Sequence, residues 1–138
     1  MEQTPAKFSL HGVQVKESFF TQSEAYSSEF KVTIEPSGII RAAEQTFQLH
    51  LKVRVYDEEG RFEATVHQVG NFVFDKEIEE KQLSQFFVVN APAILFPFVR
   101  SYIAALTSLS GYSTVIIPAM NLLNLGERLR ENITTEEA

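Results

Sequence analysis

TFQLHLKVRVY, residues Thr46–Tyr56, is the stretch on which the fold turns. Phe47, Leu49, Leu51, Val53 and Val55 fall on one side of an extended chain, and Thr46, Gln48, His50, Lys52 and Arg54 on the other. Such period-two alternation defines a half-buried strand of an antiparallel sheet. Asp57-Glu58-Glu59-Gly60 follows as a turn. Phe62, Ala64, Val66 and Gln68 then alternate with Arg61, Glu63, Thr65 and His67, so a hairpin is expected.

Upstream, Phe30, Val32 and Ile34 alternate with polar neighbours until Pro36-Ser37-Gly38 interrupts the pattern. A first strand begins at Phe8 and Leu10 and resumes at Val13 and Val15. Its phase slips by one residue across His11-Gly12, as at a bulge. Four strands in a meander are expected.

After Asp75 the alternation ends. Glu77 to Gln85 is polar and reads as a short helical turn or loop. Asn90 is placed as an N-cap and Pro92 in the first turn of a long helix. Along it Leu95, Phe98, Val99, Tyr102, Ile103 and Leu106 recur at helical spacing, and Gly111 closes it. A neighbouring stripe is small: Ser101, Ala104, Ala105 and Ser108. Close packing on the chain's own sheet or contact with another subunit would both use it. The connector of about residues 111–120 is unusually apolar, with Tyr112, Val115, Ile116, Ile117 and Met120. It either packs over the core or offers a groove to an extended polypeptide. Asn121 can cap a last helix, from Leu122 to about Asn132, and the tail 133–138 is expected to be disordered.

The 138 residues suit a single α+β domain, and no internal repeat is visible. A net charge of −6 disfavours nucleic acid. The absence of cysteine removes disulfides, thiolate metal sites and cysteine nucleophiles. The N-terminal residues lack the basic start and apolar run of a signal peptide, so a cytoplasmic location is expected. The apolar stretch of 24 residues from Phe86 to Leu109 is long enough for a bilayer, but Asn90, Pro92, Pro97 and Arg100 argue against insertion. His11, His50 and His67 stand at no metal spacing and read as solvated strand residues. Neither a phosphate-binding glycine loop nor a nucleophile elbow occurs, and Glu77, Glu79 and Glu80 lack neighbours that would tune acid–base chemistry. No enzyme, cofactor or metal is expected.

The segment NAPAILFPFVRSYIAALTSLSGYSTVIIPAMNL resembles the most characteristic part of the SecB family of export chaperones. Pro92, the run Ile94-Leu95-Phe96-Pro97-Phe98, Arg100, Gly111, Pro118 and Asn121 carry the resemblance, and Phe8-Ser9-Leu10 and Val66-x-Gln68-x-Gly70-x-Phe72 extend it backwards. It implies a four-stranded antiparallel sheet with a long helix on one face and a short C-terminal helix. It also implies a homotetramer, a dimer of dimers with the small stripe at a subunit contact. The implied activity is that of an ATP-independent holdase, which binds unfolded client polypeptides and passes them to the SecA motor ATPase. By position, the implied polypeptide-binding residues are Tyr26, Phe72, Tyr112, Ile116, Ile117 and Met120. Glu17 fits one acidic motor-docking position, whereas Thr21 and Thr65 replace others, and Val69-Gly70 replaces a Gly-Gly pair. Two alternatives stand beside export: a dedicated chaperone of an antitoxin, and a small-ligand-binding α+β domain.

Overall fold

A computed structural model describes residues 7–23 and 29–136. The sheet contains β1 (Phe8–Gln22), β2 (Lys31–Arg41), β3 (Thr46–Tyr56), β4 (Phe62–Phe74) and β5 (Ile133–Glu136), in the spatial order β1-β4-β3-β2-β5. All pairs are antiparallel except β2 with β5, which is parallel. The α+β class and the four antiparallel strands expected from sequence are therefore present. Two expectations need correction. Only β2-β3-β4 is a meander, since β1 crosses over to pair with β4. The tail expected to be disordered instead supplies β5: its Thr-Thr pair is β-prone, and Arg41 bonds Glu136 at 3.1 Å across the two strands.

The alternation in β3 sorts as read. Phe47, Leu49, Leu51 and Val55 are completely buried, while Lys52 and Arg54 are exposed. The slip at His11 is a register shift against β4, and a second shift at Lys16, invisible in the hydrophobic pattern, lets Glu17 stand opposite His67. Pro36-Ser37-Gly38 does not end β2, contrary to the sequence reading. Gly38 donates its N–H outward to the Asn132 carbonyl at 3.1 Å. Two residues earlier the nitrogen points the same way, and there proline has no hydrogen to lose. Gly38 is needed for space: a Cβ would lie 2.6 Å from the Phe47 ring.

One continuous helical rod covers the inner face: α1 (Glu80–Gln85), a π-helical segment (Phe86–Asn90) and α2 (Ala91–Leu109). Asn90 lies within this rod with helical φ/ψ and makes no capping bond, so the helix starts at Glu80 rather than at Ala91 as its sequence suggested. By length and composition this rod could cross a membrane, yet 44% of its most apolar window is buried within the protein. Ala91, Leu95, Val99 and Ile103 form the fully buried face. A second aromatic layer, Phe8, Phe72, Phe47 and Phe87, closes the far end of the core, with Phe47 stacked on Phe87 at 4.2 Å. Finally α3 (Leu123–Glu131) buries Leu125 and Leu129 and approaches the π-helical segment so closely that Gly126 is required. A Cβ there would lie 2.9 Å from the Val88 carbonyl oxygen.

Candidate functional site

Between α2 and α3 the chain runs as an irregular connector. Gly111 adopts φ +90°, a conformation that favours glycine, and turns the chain out of the helix. Residues 113–122 then contain neither helix nor turn. Val115 and Ile117 are buried, whereas Ile116 between them is 66% exposed. Two side chains of α2 fix this arrangement. Thr107 Oγ1 accepts the Val115 N–H at 3.0 Å, and Arg100 Nε donates to the Ile117 carbonyl at 2.8 Å. At the connector's start Tyr112 rests edge-on against Phe20, with centroids 5.3 Å apart, yet remains 44% exposed. At its end Met120 is 38% exposed. Both readings of the connector's apolarity are thus partly realised: alternate residues pack into the core while the others face solvent.

Met120 and Leu122 stand on the divide between two clefts. One, of about 490 Å³, lies between β2 and α3 and includes Val32, Ile34, Leu125 and Arg128. The other, of about 290 Å³, is walled by Val88, Val89, Ala93 and Leu123. Val89 and Leu123, 42% and 67% exposed, extend the apolar surface beyond the residues picked out from sequence. Their signal was faint, because single apolar residues on a helix look the same whether they face the core or solvent.

The positions implied by resemblance separate into distinct groups. Tyr112, Ile116 and Met120 are each exposed on the connector. Phe72 and Ile117 are completely buried: Phe72 stacks on Phe8 at 5.0 Å in the aromatic layer, and Ile117 is turned in from the connector. Tyr26 lies outside the described residues. The small stripe does not pack on the chain's own sheet. Ser101, Ala105 and Ser108 are exposed and Ala104 half-buried, beside exposed Ile94 and Phe98.

The opposite sheet face is polar. Glu17, His67, Lys52 and Glu35 form one cross-strand row over a cleft of about 340 Å³, with Thr65 and Arg54 along its rim. Thr21 stands further along the same face of β1, opposite Glu63. Glu17 is exposed there, without an ion-pair partner within 4 Å among the described residues. His50 and His67 are not the solvated residues their positions suggested. Their rings meet, His50 Nδ1 lying 2.8 Å from His67 Nε2 and His50 Nε2 2.8 Å from Gln48 Oε1. Gln48 donates to Asn71 at 2.9 Å, which leaves its oxygen as the acceptor for His50. The chain of donors is self-consistent when both imidazoles are neutral: His67 to His50, His50 to Gln48, Gln48 to Asn71. Burial first, and then the neighbouring His67, Lys16, Lys52 and Arg41, push His50 down to about 4. Burial, Lys52 and Lys16 lower His67 as well, with Glu17 opposing them. Among the described residues no group of three or more His, Cys, Asp or Glu is arranged to hold a metal ion.

A long helix backed by a mostly antiparallel sheet, with a pinned apolar connector along its flank, defines an α+β protein with one polar and one apolar working surface. The chain belongs to the SecB family: the family described as "Preprotein translocase subunit SecB" matches residues 5–131. The protein-export protein SecB of Saccharophagus degradans is 32% identical over 128 residues, covering 85% of this chain and 75% of that protein. SecB of Anaplasma phagocytophilum is 38% identical over 64 residues, but the match covers only 46% of this chain and 40% of the relative. The same fold occurs in a SecB-like chaperone of Mycobacterium tuberculosis, solved in complex with a ChAD peptide from the HigA1 antitoxin. The TM-score is 0.70 at 12% identity, over 83% of this chain and 88% of that one.

Proposed function

We propose that this protein is an ATP-independent holdase of the cytoplasm that binds unfolded polypeptides along the connector and delivers them for export. The observation that carries this reading is the exposure of Tyr112, Ile116 and Met120 on one connector, 44%, 66% and 38%, with Met120 also lining two partly apolar clefts. Burying one side chain of this kind yields about 1.5–3 kcal/mol. A few such anchors offset the cost of ordering a client. No nucleotide or metal chemistry is needed, because the driving force is removal of apolar surface from water.

The working form in this proposal is a homotetramer. Two features support assembly: the stripe of Ser101, Ala104, Ala105 and Ser108 faces away from the sheet, and among the described residues β1, 15 residues long, pairs on one side only. A long unpaired strand edge invites pairing with another chain. SecA would dock on the polar face at Glu17, although Thr21 and Thr65 leave that surface with less acidity than the family pattern implies. A second reading, a chaperone dedicated to an antitoxin, is favoured by the antitoxin-derived peptide bound to the Mycobacterium tuberculosis relative.

The test is the refolding rate of a slow-folding, denatured secretory protein, with mass by light scattering on the same sample. Arrest of refolding by a tetramer supports the general holdase. Unimpeded refolding at micromolar concentration, together with tight binding of an antitoxin segment, would favour the dedicated role.

A further inference from the structure

An irregular connector leaves backbone N–H and C=O groups to satisfy, and water can do so for an exposed one. Here α2 does it instead, at two points that bracket a single outward residue. Thr107 is completely buried, its Oγ1 lying 3.0 Å from the Ile103 carbonyl, 3.1 Å from that of Ala104 and 3.0 Å from the Val115 nitrogen. The hydroxyl donates back to its own helix and accepts from the connector. Two helical turns away, half-buried Arg100 uses Nε on the Ile117 carbonyl at 2.8 Å. Threonine is a poor helix former, and a half-buried guanidinium needs a hydrogen-bond acceptor to offset its lost hydration. Their positions make sense through what they hold: the amide before Ile116 and the carbonyl after it.

We propose that Thr107 and Arg100 are positioning residues for client capture. By fixing the connector in one conformation they present Ile116 before any client arrives. The entropy of ordering the connector is then lost during folding rather than at binding. This rests on the holdase reading above.

The test uses the full chain and a permanently unfolded, carboxymethylated protein as client. Thr107→Val keeps the shape and removes the acceptor, Thr107→Ser restores it, and Arg100→Met releases the second pin from a more exposed site. Hydrogen exchange at the Val115 amide reports the first pin directly. The expected result for Thr107→Val is loss of protection at that amide, with unchanged oligomer mass and a fall in client affinity of about five- to thirtyfold. The loss should lie in the binding entropy, while the heat-capacity change stays as in the wild type because the same apolar surface is buried. Arg100→Met should behave alike, and Thr107→Ser should recover both protection and affinity. If protection is lost while both released variants bind the client as the wild type does, the positioning role is overturned and the holdase reading stands. If the wild type itself fails to bind the client, both fall.

Discussion

At the scale of single residues, Ile116 and His50 show opposite relations between sequence and environment. Ile116 is a large aliphatic side chain left 66% exposed by the pinned connector. Replacing it with serine should weaken binding of an unfolded client by about one to two orders of magnitude, the worth of one buried aliphatic. The thermal midpoint and oligomer mass should not move; fluorescence-detected titration and light scattering would check both. His50, in contrast, is a polar residue partly withdrawn from water and bonded on both ring nitrogens. Its folded value, about 4, lies below the ordinary 6.5. The unfolded chain therefore binds more protons between those limits. The stability that neutral His50 contributes is fully present above about 6.5 and is lost as pH falls towards 4. Thermal midpoints measured from pH 7 to 4 should fall less steeply for His50→Gln than for the wild type. Equal slopes would show that the hydrogen-bonded chain does not couple to folding. Neither role was fully legible in the sequence. Ile116 stood out because connectors are normally polar, but the pairing of His50 with His67 depends on cross-strand register, which periodicity does not supply.

At the scale of elements, what could be read was whatever repeats. β3 and β4 announced themselves by alternation and α2 by its helical stripe, because each has one face in water and one in the core. Elements buried or paired in other ways were left open or missed. Polar Glu80–Gln85 is helical because it continues the rod beneath it, and β5 exists because the edge of β2 accepts it at Gly38–Arg41. Phe72 and Ile117 were grouped with exposed residues because position in a family motif does not distinguish a surface residue from a buried one. The seam between α3 and the π-helical segment was also silent in sequence, since a lone glycine in a helix has several explanations. Gly126→Ala forces a methyl group against the Val88 carbonyl. It should destabilise the protein by about 1–3 kcal/mol, the usual cost of overpacking. A urea unfolding midpoint indistinguishable from wild type would show that α3 shifts freely. Because α3 leads into β5, hydrogen exchange in Ile133–Glu136 should rise in the same variant.

At the scale of the whole molecule, the two surfaces call for different partners: a polar sheet face with paired and unpaired charges, and a helix flank with apolar residues and small gaps. The proposed assembly uses the small stripe, so Ala105→Glu should place four like charges at a helix contact and reduce the light-scattering mass from tetramer to dimer or monomer. An unchanged tetramer would move the contact elsewhere, with the free edge of β1 as the next place to look. The fold class and the family motif were legible because they sit in one chain. Assembly is a property of several, and a stripe of alanines and serines looks the same in a solitary helix.

The pinned connector also sets how choosy such a protein can be. Tyr112, Ile116 and Met120 stand four residues apart in the chain, and in the proposed function each would take one apolar residue of a client. Ordinary proteins are about 45–50% apolar, so chance alone fills three given positions in roughly one register in ten. Nearly any unfolded domain would then offer several acceptable frames, and a folded one almost none, its apolar residues being spent inside. Discrimination of this kind is statistical: it reads whether a sequence is displayed rather than which sequence it is.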